Sequence, residues 1–177
     1  YIMIDKNLVI EDEEKFYLEK VIRLPKVWNS HAGFNLKRKY NKLPCEKDEI
    51  FTLGSFNNFR KISVETVDTW SSILQSVSNS RLILKSSTFC DTNFLLDKFK
   101  KNGVENKVKI LDKVNFHKKK DHLELYNKVD LALDTFPYNG VTTTFEALWM
   151  NVPVMVLKGY NFNSRCGESI IKNTKID

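Results

Sequence analysis

Five short apolar runs, each followed by a stretch with helical spacing, constrain the fold of this chain more than any other feature. The runs are Ile50–Leu53, Arg81–Lys85, Val108–Leu111, Asp130–Asp134 and Pro153–Leu157. After the first, Val67, Trp70, Ile73, Leu74 and Val77 recur every three or four positions, which predicts a helix over Val64–Val77 with Ser63 as its N-cap. Further helices are expected over Asn93–Lys101, His122–Lys128 and Thr142–Met150, and another from about Ser164. Asn102-Gly103 reads as a C-terminal stop. Leu131–Leu133 and Val154–Leu157 are nearly continuous apolar runs, as in strands covered on both faces. This alternation predicts an α/β fold, a doubly wound parallel sheet with right-handed crossovers. Ligands of such sheets sit outside the carboxyl ends of the strands, at helix N-termini. That geometry says where to look and leaves open what binds.

The regular pattern starts at residue 50. Residues 1–30 read as a strand (Tyr1–Ile4), an acidic helix-like turn (Glu11–Glu19) and a second apolar run (Val21–Leu24) stopped by Pro25. Residues 31–49 are polar and irregular, and read as a connection. The chain begins at Tyr1 and stops in a polar run at Asp177, and is read as a piece of a longer protein. No run approaches the roughly 18–20 apolar residues that span a bilayer, and no secretion signal is visible, so a cytoplasmic location is expected.

Charge and cysteine usage exclude several function classes. The net charge is +6, but 23 of the basic residues are Lys and 5 are Arg, alongside 17 Asn. Base-reading surfaces favour the planar fork of Arg, so this excess argues against a nucleic-acid partner while still attracting a small anion. Cys45, Cys90 and Cys166 form no CxxC pair, and His31, His117 and His122 lack metal-ligand spacing. Phe56, Trp70 and Trp149 fall at core-like positions.

Three segments at strand ends carry candidate chemistry. In DLALDTFPYNGVTTTFEALWM (130–150) a buried strand ends at Asp134, a turn follows through Pro137, Tyr138, Asn139 and Gly140, and a helix starts among three threonines. Free N–H groups there, with about half a positive charge from the helix dipole, suit an anion. Gly140 lets a ligand approach the backbone, Thr142, Thr143 and Thr144 offer hydroxyls, and Glu146 can accept from a sugar diol. The alternative is a threonine N-cap with Glu146 as its capping-box partner. Asp134 itself reads as a strand-end hydrogen-bond acceptor. In GSFNNFRKIS (54–63), Lys61 can neutralise a diphosphate and Asn58 can donate to it; a solvated lysine in a capped loop is the alternative. In FHKKKDHLELY (116–126), His122 can stack on a base and Lys119 can reach a ribose or phosphate, against a plain solvated lysine run. No GxSxG, HExxH or Cys–His arrangement competes.

These residues resemble a known family. FTLGSFNNFRKIS, SRLILKSS, HLELYNKVDLALDTFPYNGVTTTFEALWMNVPVMVL and SRCGESIIKN occur in the same order as in the catalytic region of the O-linked N-acetylglucosamine transferases, the bacterial and Spindly-like branch of glycosyltransferase family 41. YIMIDK…FYLEKVIRLPKVW resembles the end of the preceding lobe. The resemblance implies a GT-B fold of two Rossmann-like lobes. Residues 1–30 would be the tail of the N-terminal lobe, 31–49 the connection, and 50–177 the nucleotide-sugar-binding C-terminal lobe, incomplete at its C-terminus. It implies that Lys61 contacts the diphosphate and supports the leaving group, with Asn58 where animal members carry glutamine near the same phosphates. Lys119 and His122 match residues that hold ribose and uracil, Thr142 and Thr143 the phosphate-binding threonines, and Glu146 an aspartate that binds ribose. Val141 and Leu125 depart from a histidine and an arginine of the animal enzymes, and Asn151 replaces a glycine after the helix.

The function so implied is the donor-binding part of an inverting enzyme that moves N-acetylglucosamine from UDP-GlcNAc to Ser or Thr hydroxyls of proteins. No metal or other cofactor is expected, because the sequence offers no acidic cluster for one. The acceptor protein would be selected by upstream helical repeats of the TPR kind, and this piece alone is expected to transfer nothing. Three alternatives remain open at this point: a Spindly-like use of GDP-fucose, a nucleotide-binding or scaffold module without transfer activity, and an unrelated phosphate-binding domain.

Overall fold

The apolar runs form strands. In the computed structural model, residues 1–34, 42–85, 92–111 and 119–174 are described, and side chains for all of these except Lys119 and Lys120. Strands β1 (Ile2–Ile4) and β2 (Val21–Arg23) pair in parallel. Strands β3 (Phe51–Ser55), β4 (Ser80–Leu84), β5 (Val108–Ile110), β6 (Leu131–Leu133) and β7 (Val154–Met155) form a five-stranded parallel sheet ordered β5-β4-β3-β6-β7. Strand order therefore reverses between β3 and β6. A crevice opens at such a switch point because the loops leaving its two strands run to opposite faces.

Helices α1 (Cys45–Asp48), α2 (Val64–Ser76), α3 (Asn93–Lys101), α4 (Lys119–Glu124), α5 (Thr142–Trp149) and α6 (Cys166–Lys172) complete the fold. Side chains alternate across each strand, and both faces are covered. Leu53, Leu82, Leu84 and Leu133 pack with Val67, Trp70 and Leu74 of α2 and Leu95 and Phe99 of α3. Ile83 and Ala132 face the other way, onto Phe56, Leu123, Tyr126 and Ala147, with Trp149 partly buried beside them. The expected aromatic packing positions are thus core.

Local signals in the sequence set most boundaries. The Ser63 hydroxyl accepts from the Thr66 N–H at 3.2 Å and starts α2. Gly103 takes φ +70° after α3, and Asn151 takes φ 59° after α5, the left-handed conformation that Asn tolerates. Three boundaries differ from expectation. The helix expected over His122–Lys128 begins at Lys119, and its last turn, Leu125–Lys128, is a 3-10 turn. The Asn161 side chain forms a capping box with Ser164, so a 3-10 turn (Phe162–Ser164) precedes α6. The connection expected to be irregular contains α1, tied down where the Cys45 N–H donates to Asp130 Oδ1 at 3.1 Å.

The N-terminal segment packs on α6. Ile4, Leu8 and Val9 cluster with Cys166, and Trp28 meets Phe162 edge-on at 5.1 Å. Arg165 grips Glu13 through both guanidinium nitrogens, at 2.5 and 2.8 Å, and Asp5 accepts from the Ser169 hydroxyl. Among the described residues no helix is long and apolar enough to cross a membrane.

Candidate functional site

The loops leaving β3 and β6 meet at the switch point, and Asp134 joins them. Asp134 ends β6, and its Oδ1 accepts from the Gly140 N–H at 2.6 Å, the Thr135 N–H at 2.8 Å and the Asn57 side-chain amide at 3.3 Å. It is the strand-end acceptor its position suggested. Asn57, buried in the loop after β3, also accepts from the Thr143 hydroxyl at 2.9 Å. One asparagine thus links the β3 loop, the β6 loop and the first turn of α5. Asn139 is fully buried and stiffens the same loop. Its amide donates to the Thr135 carbonyl at 3.0 Å and its Oδ1 accepts from the Gly167 N–H at 3.2 Å.

Lys61 reaches from the loop after β3 to the loop after β6. It closes a 3-10 turn (Phe59–Lys61) that Asn58 caps by accepting from the Arg60 N–H at 3.0 Å. The Lys61 ammonium donates to the Asn139 carbonyl at 3.0 Å and stands 4.2 Å from the centre of the Tyr138 ring. A solvated-lysine reading is therefore set aside. Burial pushes the Lys61 pKa down, and the Asp134 charge works against that. An ammonium carries three donors. One of them is used on the Asn139 carbonyl.

Helix α5 begins without a side-chain cap, at Val141. The capping-box alternative fails here, because the N-cap is Val141, and Thr143, Thr144 and Glu146 are bonded elsewhere. Thr144 is buried and returns its hydroxyl to the Gly140 carbonyl at 3.1 Å, so it fastens the turn. Thr142 is exposed at the helix start, with Thr143 half-buried beside it. The first N–H groups of this helix find no acceptor within the helix, and they lie next to the loop that carries Lys61's carbonyl partner.

A second polar chain runs from β4 to α5. His122 Nε2 lies 2.8 Å from Glu146 Oε2, and His122 Nδ1 lies 2.5 Å from the ammonium of Lys85. The Tyr126 hydroxyl lies 3.3 Å from Glu146 Oε2 and 3.2 Å from the Thr143 carbonyl, joining this chain to the α5 start. Burial, reinforced by Glu146, pushes the Tyr126 pKa well up. Hydrogen bonds join Lys61, through Asn139 and Thr135, to Asp134, Gly140, Thr143, Glu146 and His122 in one connected cluster. Thr144 fastens the turn, Asn58 caps the 3-10 turn before Lys61, and Thr142 is exposed at the start of α5. Lys119 opens α4, and its side chain lies outside the described part. Sequence reasoning missed Asn57, Lys85, Asn139 and Tyr126. Only Lys85 left a local trace, a charge ending the apolar run RLIL.

The Asp134 carboxyl predicts a pH effect. Burial pushes its pKa from 3.8 up to about 6, against the Gly140 and Thr135 N–H donors and Lys61. The folded chain therefore keeps this proton where the unfolded chain has lost it. Stability from this group is complete below about pH 4 and is lost as pH rises through about 6. The difference is on the order of 3 kcal/mol. Asp134→Asn keeps an acceptor and carries no charge. Denaturant unfolding from pH 4 to 7 should show the variant gaining on the wild type by about that amount; a pH-independent gap would contradict it.

Other candidates carry less. Burial and the neighbouring Asp134 push the Cys166 thiol up to about 11, so it stays protonated and is no nucleophile. Among the described residues no group of three or more His, Cys, Asp or Glu side chains is placed to hold a metal. A groove of about 840 Å³, lined by Lys47, Arg81, Lys109 and Lys128 among others, opens at the amino ends of the strands, opposite the crevice.

Comparison with known proteins agrees with this geometry. The model of glycosyl transferase family 41 matches residues 34–176. The probable UDP-N-acetylglucosamine–peptide N-acetylglucosaminyltransferase SPINDLY of Eustoma exaltatum subsp. russellianum is 33% identical over 164 residues, 90% of this chain and 18% of that protein. A mutant O-GlcNAc transferase of Thermobaculum terrenum superposes with a TM-score of 0.81 at 28% identity, over 96% of this chain and 32% of that one. The glycosyltransferase WaaG shares the fold at 18% identity, with a TM-score of 0.56 over 97% of this chain and 52% of that one. The chain thus spans about a fifth of the curated relative, and its sheet is the Rossmann-like C-terminal lobe of the GT-B architecture. On the family match and the identity to SPINDLY together, the chain belongs to glycosyltransferase family 41.

Proposed function

We propose that this chain is the donor-binding lobe of an inverting glycosyltransferase that moves N-acetylglucosamine from its uridine diphosphate to Ser and Thr hydroxyls of proteins in the cytoplasm. Residues 1–30 belong to the preceding lobe, 31–49 link the two, and upstream TPR-type repeats select the acceptor. The observation that carries this reading is the uncapped start of α5 facing Lys61 across a loop tied together by Asp134 and Asn57. The names of the relatives, peptide N-acetylglucosaminyltransferases, supply the sugar and the acceptor class.

The acceptor hydroxyl oxygen attacks the anomeric carbon as the bond from that carbon to the diphosphate oxygen breaks, and the hydroxyl proton passes to the leaving diphosphate or to water. The bonding pair leaves with the diphosphate. Charge grows on the leaving oxygens, and donors aimed there in advance stabilise the transition state more than the ground state. Lys61, Thr142, Thr143 and the α5 N–H groups supply that charge stabilisation from the protein's own residues, and Gly140 lets the diphosphate approach the backbone. Asn58 and Lys119 assist at the phosphates and the ribose. His122 lies against the base, and Glu146 accepts from the ribose diol.

Titration calorimetry of the 177-residue chain with UDP tests the site. Micromolar binding is expected, and His122→Ala should weaken it at least about tenfold, the loss of one stacked or hydrogen-bonded base. No binding by the wild type would favour a scaffold. Tighter binding of GDP than of UDP would replace the uridine donor with a guanosine one. The chain alone should transfer no sugar, and turnover by it would refute the assignment of the acceptor site to another lobe.

A further inference from the structure

Lys85 is the largest fully buried side chain of the described residues, at 1% exposure, yet it carries an ammonium. It follows β4 directly, at the carboxyl end of the strand, and its N–H donates to the Ser55 carbonyl at 3.2 Å. Burying a charge costs several kcal/mol unless it is paired, so a lysine in this position needs a stated reason. Hydrophobic burial alone would favour Leu or Met here.

We propose that Lys85 is a positioning residue of the nucleotide site, which holds His122 Nδ1 as an acceptor and so fixes the hydrogen bond from Nε2 to Glu146. This inference rests on the nucleotide-binding reading for its functional consequence, though not for its chemistry. A lysine ammonium has three donors and no acceptor. At 2.5 Å from His122 Nδ1 it therefore donates, and Nδ1 accepts with its lone pair. The ring then carries its one proton on Nε2, which donates to Glu146 Oε2 at 2.8 Å. A doubly protonated ring would set an N–H of Nδ1 against the ammonium.

Among the described residues, the groups that meet His122 include Lys85 after β4, Glu146 on α5, and the rings of Tyr126 and Phe56. With both ring nitrogens hydrogen-bonded, the ring plane is set. The Glu146 carboxylate is likewise held by two donors, leaving its remaining lone pairs for a diol.

Nitrogen NMR of the His122 ring at neutral pH, assigned with His122→Gln, reads the claim directly. In the wild type, Nδ1 should be unprotonated and Nε2 protonated. In Lys85→Met, a variant of similar length suited to burial, the donor to Nδ1 is gone and the ring should no longer show that single pattern. Lys85→Gln, which still donates to Nδ1, should keep the wild-type pattern and serves if the Met variant does not fold. An unchanged ring in the Met variant overturns the proposal. A second arm measures UDP and GDP affinity. Lys85→Met should weaken binding about tenfold in the wild-type background and not at all in His122→Ala. Equal weakening in both backgrounds would show that Lys85 does not act through His122. Absence of any nucleotide binding by the wild type would sink the nucleotide reading, while the ring protonation would still decide the Lys85–His122 linkage.

Discussion

Replacing Lys61 by Ala in the complete enzyme is expected to lower kcat/KM by about 10²–10³, or 3–4 kcal/mol, the cost of removing one aimed donor from a developing anion. The reason lies in how the ammonium is held. The Asn139 carbonyl at 3.0 Å and the Tyr138 ring at 4.2 Å fix its position before any substrate arrives. Little reorganisation is then needed as charge grows on the leaving diphosphate. Because the interaction strengthens along the reaction, the loss should fall on kcat more than on the donor KM. Lys61→Arg should recover only part of the rate, since a planar fork does not reproduce a point charge. Steady-state kinetics with UDP-N-acetylglucosamine and a peptide acceptor measure this, and a near-normal kcat/KM in Lys61→Ala would remove Lys61 from the mechanism.

Gly140→Ala is expected to abolish nucleotide binding by closing the crevice from within. A Cβ at this position would stand 2.2 Å from the Thr143 hydroxyl, 2.7 Å from Asn57 Oδ1 and 2.9 Å from Asp134 Oδ1. None of these atoms can give way freely. The Thr143 hydroxyl is bonded to Asn57 at 2.9 Å, and Asp134 is bonded to the Gly140 N–H at 2.6 Å. The methyl group must therefore move the turn away from the start of α5. Overpacking of this kind destabilises by about 1–3 kcal/mol. UDP affinity should fall on the order of a hundredfold, about 3 kcal/mol, since the turn and the α5 N–H groups shift together. Gly103→Ala is the control. Its Cβ meets nothing within 4 Å, but its φ of +70° strains any other residue. It should lose about 1 kcal/mol of stability and no affinity. Binding by Gly140→Ala equal to wild type would mean that the anion does not sit on this turn.

The parts of the fold that were legible in the sequence are those decided locally. The Val67, Trp70 and Leu74 spacing marked the buried face of α2, Ser63 its start, and Asn102-Gly103 the end of α3, because periodicity and caps act over a few residues. The continuous apolar run at 131–133 marked a strand covered on both faces, and the structure places Leu131 and Leu133 on one side and Ala132 on the other.

What could not be read depends on partners distant in the chain. Glu146 sits at a spacing that suits a capping box, but its partner is His122, 24 residues away. Of two adjacent asparagines, Asn58 was singled out, and the structure uses it to cap a 3-10 turn while Asn57 bridges to Thr143, 86 residues on. Which of the two turns inward depends on the loop's path, which no local rule sets. The brace of Glu13 on Arg165 spans 152 residues, so the packing of the N-terminal segment on α6 was equally invisible.

A crystal structure of the chain with UDP bound tests the central claim most directly. The diphosphate should lie between the Lys61 ammonium and the N–H groups of Thr142 and Thr143, over Gly140, with the uracil against His122 and the ribose hydroxyls on Glu146. A nucleotide bound instead in the basic groove at the amino ends of the strands, or one whose phosphates stand clear of both Lys61 and the start of α5, would contradict the account.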